Sequence, residues 1–98
     1  MHGVKRLLWW LLSGSSGGLN RGRIIEVIIK QPHNANEIST ILNLDYKTVR
    51  HHLDVLEKNN LITHTGSGYG KMYFLSDLIE KNINYFNEIW EKIGKKNK

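Results

Sequence analysis

Residues 34–59 constrain the fold more than any other part of the chain, because they encode two helices separated by a very short turn. Asn34 can cap the first helix, and Glu37, three residues on, can reach back to the capping residue. The turn ends at Asp45, which can cap a longer helix running from Tyr46 to Asn59. The apolar residues of this longer helix lie on one face: Val49, Leu53 and Leu56. The pattern predicts a helix-turn-helix whose second helix has one buried and one exposed face.

Two short β-prone runs follow directly, Leu61–Thr65 and Lys71–Leu75. The segment between them, residues 66–70, contains three glycines and predicts a hairpin with a mobile tip. A helix-turn-helix followed by a hairpin is the element order of a winged helix-turn-helix. We therefore expect a mainly α fold with a small β-hairpin wing.

The chain before this unit begins with a predicted helix over residues 1–12 that is apolar on nearly every side. Residues 13–19 are rich in serine and glycine, a composition typical of a flexible linker. Asn20 is a suitable N-cap for a second helix from Arg21 to Lys30. The first helix needs cover from another part of the fold.

The chain ends in a predicted helix over residues 76–94 and a basic tail at residues 95–98. Its apolar residues recur at the spacing of a helix-helix seam: Ile79, Ile83, Phe86, Trp90 and Ile93. We expect a single domain over residues 1–98, with residues 20–75 as the winged helix-turn-helix core.

Composition agrees with one small basic domain: 98 residues are 40% hydrophobic and carry a formal net charge of +5, so polyanions are plausible partners. The absence of cysteine removes disulfides, thiolate metal sites and thiol catalysis. The apolar run Leu7–Leu12 is far shorter than the roughly 20 residues that span a bilayer, and no small-residue cleavage site follows it. These features predict a cytoplasmic protein with no membrane association.

Enzymatic motifs are missing, since the sequence contains neither a G-x-S-x-G elbow nor a phosphate-binding loop. Its helical acids fall at capping or exposed positions: Glu26, Glu37, Asp54 and Glu57. We expect no catalysis and no cofactor.

The histidines do not have the spacing of a metal site. His51 and His52 are adjacent and point about 100° apart on a helix, and His33 and His64 have no carboxylate or histidine at ligand spacing. We expect no bound metal, and we interpret His52 as a partly buried side chain that braces the second helix of the helix-turn-helix.

The segment NANEISTILNLDYKTVRHHLDVLEKNNLITHTG, followed by YGKMYFLS, resembles the ArsR family of transcriptional regulators, named for arsenical-resistance repressors. The resemblance covers Arg21 to Ser76, and Gly17–Ile24 is similar to an archaeal branch of such regulators. It implies a dimeric DNA-binding protein that pairs through its terminal helices. The last helix lacks the paired Asp/His positions that metal-sensing members use.

A recognition helix must hold one apolar stripe on its support helix and present short or basic side chains to the major groove. Here the residues that project away from the stripe are Tyr46, Lys47, Arg50 and His51. Arg50 is the candidate for a guanine contact, and Lys47 and Thr48 are candidates for phosphate contacts. The alternative is that these cations only solvate an exposed helix face.

Minor-groove or phosphate contacts are expected from Tyr69 and Lys71 in the wing, unless the wing is an ordinary flexible hairpin. Arg21 and Arg23 could add contacts from the start of the second helix, although cations lie there at the unfavourable end of the helix dipole.

The terminal helices carry more apolar surface than so small a domain can easily bury, which favours a two-fold dimer. The candidate interface residues are Leu8, Trp9, Leu12, Ile79, Ile83, Phe86, Trp90 and Ile93. The alternative is a monomer in which the first and last helices pack on each other. The sequence thus predicts a dimeric regulator that binds double-stranded DNA sequence-specifically, or else a winged-helix protein-protein adaptor without direct DNA readout.

Overall fold

The computed structural model of the chain describes residues 2–96, with side chains described for residues 3–93. Its regular elements, in chain order, are α1 (His2–Trp9), α2 (Gly18–Lys30), α3 (Ala35–Leu42), α4 (Tyr46–Lys58), β1 (Ile62–Thr65), β2 (Met72–Leu75), α5 (Asp77–Lys81) and α6 (Ile83–Lys96). A π-helical turn, Trp10–Gly14, continues α1, and a 3₁₀ turn, Gly68–Gly70, forms the tip of the hairpin. The predicted fold class, mainly α with a small hairpin wing, is confirmed.

Local capping signals set the boundaries of the helix-turn-helix. The Asn34 side chain accepts a hydrogen bond from the Glu37 backbone N–H at 2.7 Å, and the Glu37 carboxylate accepts one from the Asn34 N–H at 3.0 Å. Asn43 ends α3 in the left-handed conformation, with φ 55°. Asp45 caps α4, which ends at Lys58, so Asn59 is its C-cap rather than its last residue. These helix limits match the predicted ones within one residue.

The wing is an antiparallel hairpin in which Ile62 pairs with Leu75 and Thr65 with Met72. The Tyr73 N–H also donates to the carbonyl of His33 in the α2–α3 connection at 2.9 Å, and the Tyr73 side chain is buried. The root of the wing is therefore attached to the helical layer, whereas its tip extends beyond the sheet.

The core lies between α2, α4 and the wing, with α1 and α6 closing one side. The predicted stripe of α4 is fully buried there, together with apolar side chains from every other helix and from both strands. The residues with no exposed surface are Leu8, Ile24, Ile25, Ile38, Val49, Leu53, Leu56, Leu61 and Ile79.

The serine-glycine segment differs from the flexible linker predicted at residues 13–19. The π-helical turn runs through Gly14 and α2 begins at Gly18, with Gly17 as its N-cap in place of the predicted Asn20. A Cβ atom on Gly18 would lie 2.1 Å from the carbonyl oxygen of Leu12, so no other residue fits there. The glycine at this position serves a close backbone approach, and the connection is only three residues long.

The predicted C-terminal helix over residues 76–94 is interrupted at Asn82, which ends α5 and adopts φ −119°. Its side-chain N–H donates to the carbonyl of Leu78 at 2.8 Å, and its own carbonyl accepts from Tyr85. The single helix-helix seam is therefore divided between two helices. Because α6 reaches Lys96, the predicted basic tail at residues 95–98 begins inside a helix, and its last two residues lie outside the described part of the chain.

Arg21 joins the N-terminal segment to α4 from a buried position, with 4% of its surface exposed. Its Nε donates to the carbonyl of Leu11 at 2.9 Å, and its Nη2 donates to the Ser16 carbonyl and the Ser15 hydroxyl. Its Nη1 lies 3.4 Å from Nδ1 of His52. Because a guanidinium has no acceptor, Nδ1 of His52 must accept, and the imidazole is neutral. The prediction that His52 is a buried brace is confirmed.

The protein should become less stable in mild acid, because His52 is buried in its neutral form. Burial above all, then the charges of Arg21 and His51, lower the pKa of His52 below its ordinary value near 6.5. The unfolded chain takes up a proton near pH 6.5 that the folded chain resists, so the stabilisation is complete above about pH 7 and is lost as the pH falls towards the folded pKa. Urea unfolding at pH 7.5 and 5.5 should therefore show a smaller pH dependence for His52→Gln than for the wild type. Lys58→Gln, at an exposed position of the same helix, is the control and should keep the wild-type pH dependence. An equal pH dependence in the wild type and His52→Gln would contradict this role.

Candidate nucleic-acid interface

The exposed face of α4 collects the residues that the sequence predicted for DNA. Lys47 and His51 are exposed, while Tyr46, Thr48 and Arg50 are half-buried at the N-terminal end of the same helix. Lys47 and His51 lie opposite the buried stripe, Thr48 and Arg50 lie beside it, and Tyr46 packs against the edge of the core. The structure therefore brings two cations, a hydroxyl and two rings onto one helical turn and a half.

The N-terminus of α4 is fixed by Asp45, whose carboxylate accepts hydrogen bonds from the backbone N–H groups of Lys47 and Thr48 at 3.0 and 3.3 Å. A negative cap also offsets the positive end of the helix dipole. The cap therefore holds the first turn of α4, where the candidate contact residues lie.

Arg50 is folded back along the helix instead of projecting freely. Its Nη1 donates to the Tyr46 hydroxyl at 3.2 Å, and its guanidinium carbon lies 6.0 Å from the Tyr46 ring centroid. This hydrogen bond is the main cause that raises the pKa of Arg50. Its Nε is buried and has no hydrogen-bond partner among the described residues. One part of this guanidinium is held by the protein, and another lacks a partner.

The wing tip approaches the same end of α4. Tyr69 is 86% exposed, yet its ring centroid lies 6.3 Å from that of Tyr46. Gly66 and Gly68 adopt φ 83° and 57°, a conformation that glycine tolerates best. Lys71 is half-buried just after this tip. The predicted wing residues and the predicted helix residues thus form one continuous surface.

Arg21 corrects the prediction that both arginines of α2 face phosphate, because its guanidinium is buried among backbone carbonyls and His52. Arg23 donates to the carbonyl of Leu42, at the end of α3, at 3.2 Å and to the Asn20 side chain at 3.3 Å. Both arginines therefore hold other parts of the fold. The sequence did not reveal this because an arginine near a helix start is usually exposed.

The candidate dimer residues divide into two groups. Four of them are buried within the monomer and belong to its core, which corrects their assignment to an interface: Leu8, Leu12, Ile79 and Phe86. Ile83, Trp90 and Ile93 are half-buried. The structure has α1 packed against α6, as in the alternative that the sequence left open. That packing leaves Trp9 and Trp10 45% and 57% exposed.

Trp90 is held by the fold more than the sequence suggested. Its ring stacks on Phe86 at 6.0 Å between centroids, and a Cβ on Gly22 would lie 2.2 Å from it. The ring therefore packs directly on the backbone of α2, so a substitution at Trp90 would disturb the monomer as well as any interface.

Two histidines pair with carboxylates, although the sequence showed no carboxylate at ligand spacing for either: His33 with Glu37 and His64 with Glu57. Among the described residues, no three histidines, cysteines, aspartates or glutamates are grouped so as to hold a metal ion. Within the same residues, no helix is long and apolar enough to cross a membrane.

Comparison with known proteins identifies the helix-turn-helix region. Residues 20–64 match the sequence profile described as bacterial regulatory protein, arsR family. A search of curated protein sequences finds no match. The resemblance to ArsR-type regulators is thereby confirmed for this region.

Several solved structures are similar to this chain, among them a repressor. MarR of Staphylococcus aureus, in complex with salicylate and kanamycin, has a TM-score of 0.62 and is 26% identical over 80% of this chain. This chain spans 53% of the MarR chain, which is about half its length. Reduced HlyU of Vibrio cholerae has a TM-score of 0.67 at 17% identity, covering 92% of this chain and 90% of HlyU. The adhesin competence repressor AdcR of Streptococcus pyogenes has a TM-score of 0.56 at 16% identity, covering 95% of this chain and 82% of its own. HlyU and AdcR thus share the winged-helix fold with this protein.

Asp45→Ala should destabilise the protein by about 1 kcal/mol, the ordinary value of a helix N-cap, because two backbone N–H groups of α4 lose their acceptor. Urea unfolding measures the change. Asp54→Ala, at an exposed position of the same helix, removes the same charge without removing a cap. Equal effects of the two substitutions would mean that charge, and not capping, is responsible.

Proposed function

We propose that the protein is a transcriptional regulator that binds double-stranded DNA sequence-specifically as a dimer, since its residues 20–64 match the arsR-family profile. One observation carries the proposal. Tyr69 at the wing tip contacts Tyr46 at the start of α4, so the wing tip lies at the end of α4 that carries the exposed Lys47 and the half-buried Arg50. A surface of this kind is what a winged helix presents to duplex DNA.

In this proposal α4 lies in the major groove with its N-terminal turn towards the bases. Lys47 and the Thr48 hydroxyl contact phosphates, and Arg50 pairs with O6 and N7 of a guanine. His51, exposed on the same face, contributes a further hydrogen-bonding group. Because phosphate contacts release counterions, affinity should depend steeply on salt.

The wing supplies the second set of contacts. Tyr69 and Lys71 reach the sugar-phosphate backbone beside the groove that α4 occupies. The formal net charge of +5 favours association with DNA, which is a polyanion.

The proposed dimer forms through the exposed aromatic surface of the N-terminal segment. Trp9 and Trp10 lie side by side in the sequence at the end of α1, and large aromatic rings are costly to leave in water. A two-fold axis next to them buries this surface against its own copy, with the half-buried Ile83 and Ile93 of α6 at its margin. Two recognition helices related by this axis would match a palindromic site.

Removing the two cations of α4 should remove most of the DNA affinity. Titration of Lys47→Ala/Arg50→Ala into a fluorescent duplex from the gene's own upstream region, at two salt concentrations, should show at least about ten-fold weaker binding than the wild type and a shallower salt slope. Arg6→Ala/Lys81→Ala, an arginine and a lysine exposed outside α4 and the wing, is the matched control and should bind nearly as the wild type does.

If the wild type does not bind duplex DNA more tightly than about 10⁻⁴ M, the proposal fails. A winged-helix protein-protein adaptor then becomes the better interpretation. Equal losses in both double variants would mean that net charge, and not the face of α4, determines binding.

Trp9→Glu/Trp10→Glu should convert the dimer to a monomer, because two carboxylates would be buried against their own copies across the two-fold axis. Light scattering measures the mass. Ile41→Glu, at another large apolar side chain that is 53% exposed, is the control and should remain dimeric. An unchanged mass for the double variant would contradict the proposed interface.

A further inference from the structure

The side chains of Tyr46, Arg50 and Tyr69 form a cluster that joins the recognition helix to the wing, which we call the aromatic bridge. Tyr46 stands at the start of α4, Arg50 one turn later, and Tyr69 at the tip of the hairpin. The Tyr46 ring contacts both others, 6.0 Å from the guanidinium carbon of Arg50 and 6.3 Å from the ring of Tyr69. The tip of the wing thereby meets the start of α4 at the Tyr46 ring.

Arg50 is held on one side only. Its Nη1 donates to the Tyr46 hydroxyl, whereas its buried Nε has no partner among the described residues. A guanidinium is planar and carries several donors in fixed directions, so one hydrogen bond together with a ring face restricts where the remaining donors point. The Tyr46 hydroxyl is therefore the group that sets the direction of the guanidinium in the free protein.

Tyr69 contacts Tyr46 although most of its own surface is exposed. It is flanked by Gly68 and Gly70, and Gly68 has φ 57°, so the tip itself supplies few side-chain contacts that could fix the ring. The tilted contact with Tyr46, at 42° between ring planes, is the ring contact that ties this tip to α4. Any restraint on the wing tip therefore acts on the residue that holds Arg50.

We propose that Tyr46 and Tyr69 act as positioning residues for Arg50, so that base discrimination by the recognition helix depends on the wing tip. The inference rests on the proposed DNA-binding function and adds a specificity mechanism to it. A bidentate contact with guanine requires the guanidinium plane to lie in the plane of the base, and a side chain already held in that direction loses less conformational freedom on binding.

The free protein provides a test that needs no DNA. In ¹⁵N-edited NMR, the guanidinium signals of Arg50 should be resolved in the wild type and should move towards those of solvent-exposed arginines in Tyr46→Phe, which keeps the ring and removes the acceptor. Tyr69→Ala should shift the same signals, and Tyr69→Phe, which preserves the ring contact, should leave them in place. Arg50 signals that do not respond to Tyr69→Ala would overturn the bridge.

The second test measures discrimination. Duplexes are selected from a random pool for binding to the wild type, and each base pair of the selected site is then replaced in turn. The pair that Arg50 reads is the one whose replacement no longer matters in Arg50→Ala. At this pair we expect Tyr46→Phe and Tyr69→Ala to reduce the wild-type preference by about five-fold or more, where the preference is the ratio of the two duplex affinities measured within each variant, so that a lost backbone contact of Tyr69 cancels. Tyr85→Phe, on α6, is the control and should keep the full preference.

A double-variant comparison separates positioning from direct contact. If Tyr46 acts through Arg50, then Tyr46→Phe should cause no further loss of preference in the Arg50→Ala background. An equal loss in both backgrounds would mean that Tyr46 reads the base itself and would overturn the inference. Wild-type preference in Tyr46→Phe and Tyr69→Ala would overturn it while leaving DNA binding intact. Failure of the wild type to bind any duplex would instead overturn the proposed function, and this inference with it.

Discussion

The hydrogen bonds of the buried Arg21 guanidinium are the interaction on which the arrangement of this small protein depends. A charged group with 4% exposure is tolerated only where its donors are satisfied, and here they meet carbonyls at the end of the N-terminal helical segment, the loop before α2 and the imidazole of His52. Arg21 belongs to α2 and His52 to α4, so one side chain ties three segments together. The exposed aromatic surface at Trp9 and Trp10 and the reading face of α4 are therefore held in a defined relation, which a dimeric regulator requires if its two recognition helices are to match two half-sites.

The core accounts for the packing of the two terminal helices on each other within one chain. A domain of 98 residues buries a limited fraction of its surface, and α1 and α6 use their most apolar positions to close one side of it. Leu8 and Phe86 are buried in this packing, whereas Trp9 and Trp10 remain exposed. In the proposed dimer, the surface that this intramolecular packing leaves uncovered is the one that meets the second copy.

The parts of the fold that could be predicted from sequence are those fixed within a few residues. Asn34 with Glu37, and Asp45 with the next helical turn, are local hydrogen-bond arrangements, and the Val49, Leu53 and Leu56 stripe follows from helical geometry alone.

The errors in the prediction concern partners that are distant in sequence. Serine and glycine indicated a linker because nothing local shows that the backbone at Gly18 must approach Leu12. The spacing of Ile79 and Phe86 identified apolar positions correctly, but periodicity does not tell whether such a face meets its own chain or another copy. The exposed side of α4 was predictable, whereas the contact of Tyr46 with both Arg50 and Tyr69 was not, because it depends on where the wing folds.

The cations of α2 and α4 differ in whether groups within the fold already hold them. Arg21 and Arg23 stand near the positive end of a helix, yet acceptors within the fold satisfy them. Lys47 and Arg50 also stand near the positive end of a helix, and there Arg50 has a buried Nε with no partner among the described residues. Local features that disagree with stability in the isolated chain concentrate where a protein works. An anionic partner would favour Lys47 and the N-terminus of α4, and a guanine edge would offer acceptors to the Nη groups of Arg50. Acceptors within the fold already hold the arginines of α2, which is why we assign the proposed DNA surface to α4 and the wing beside it.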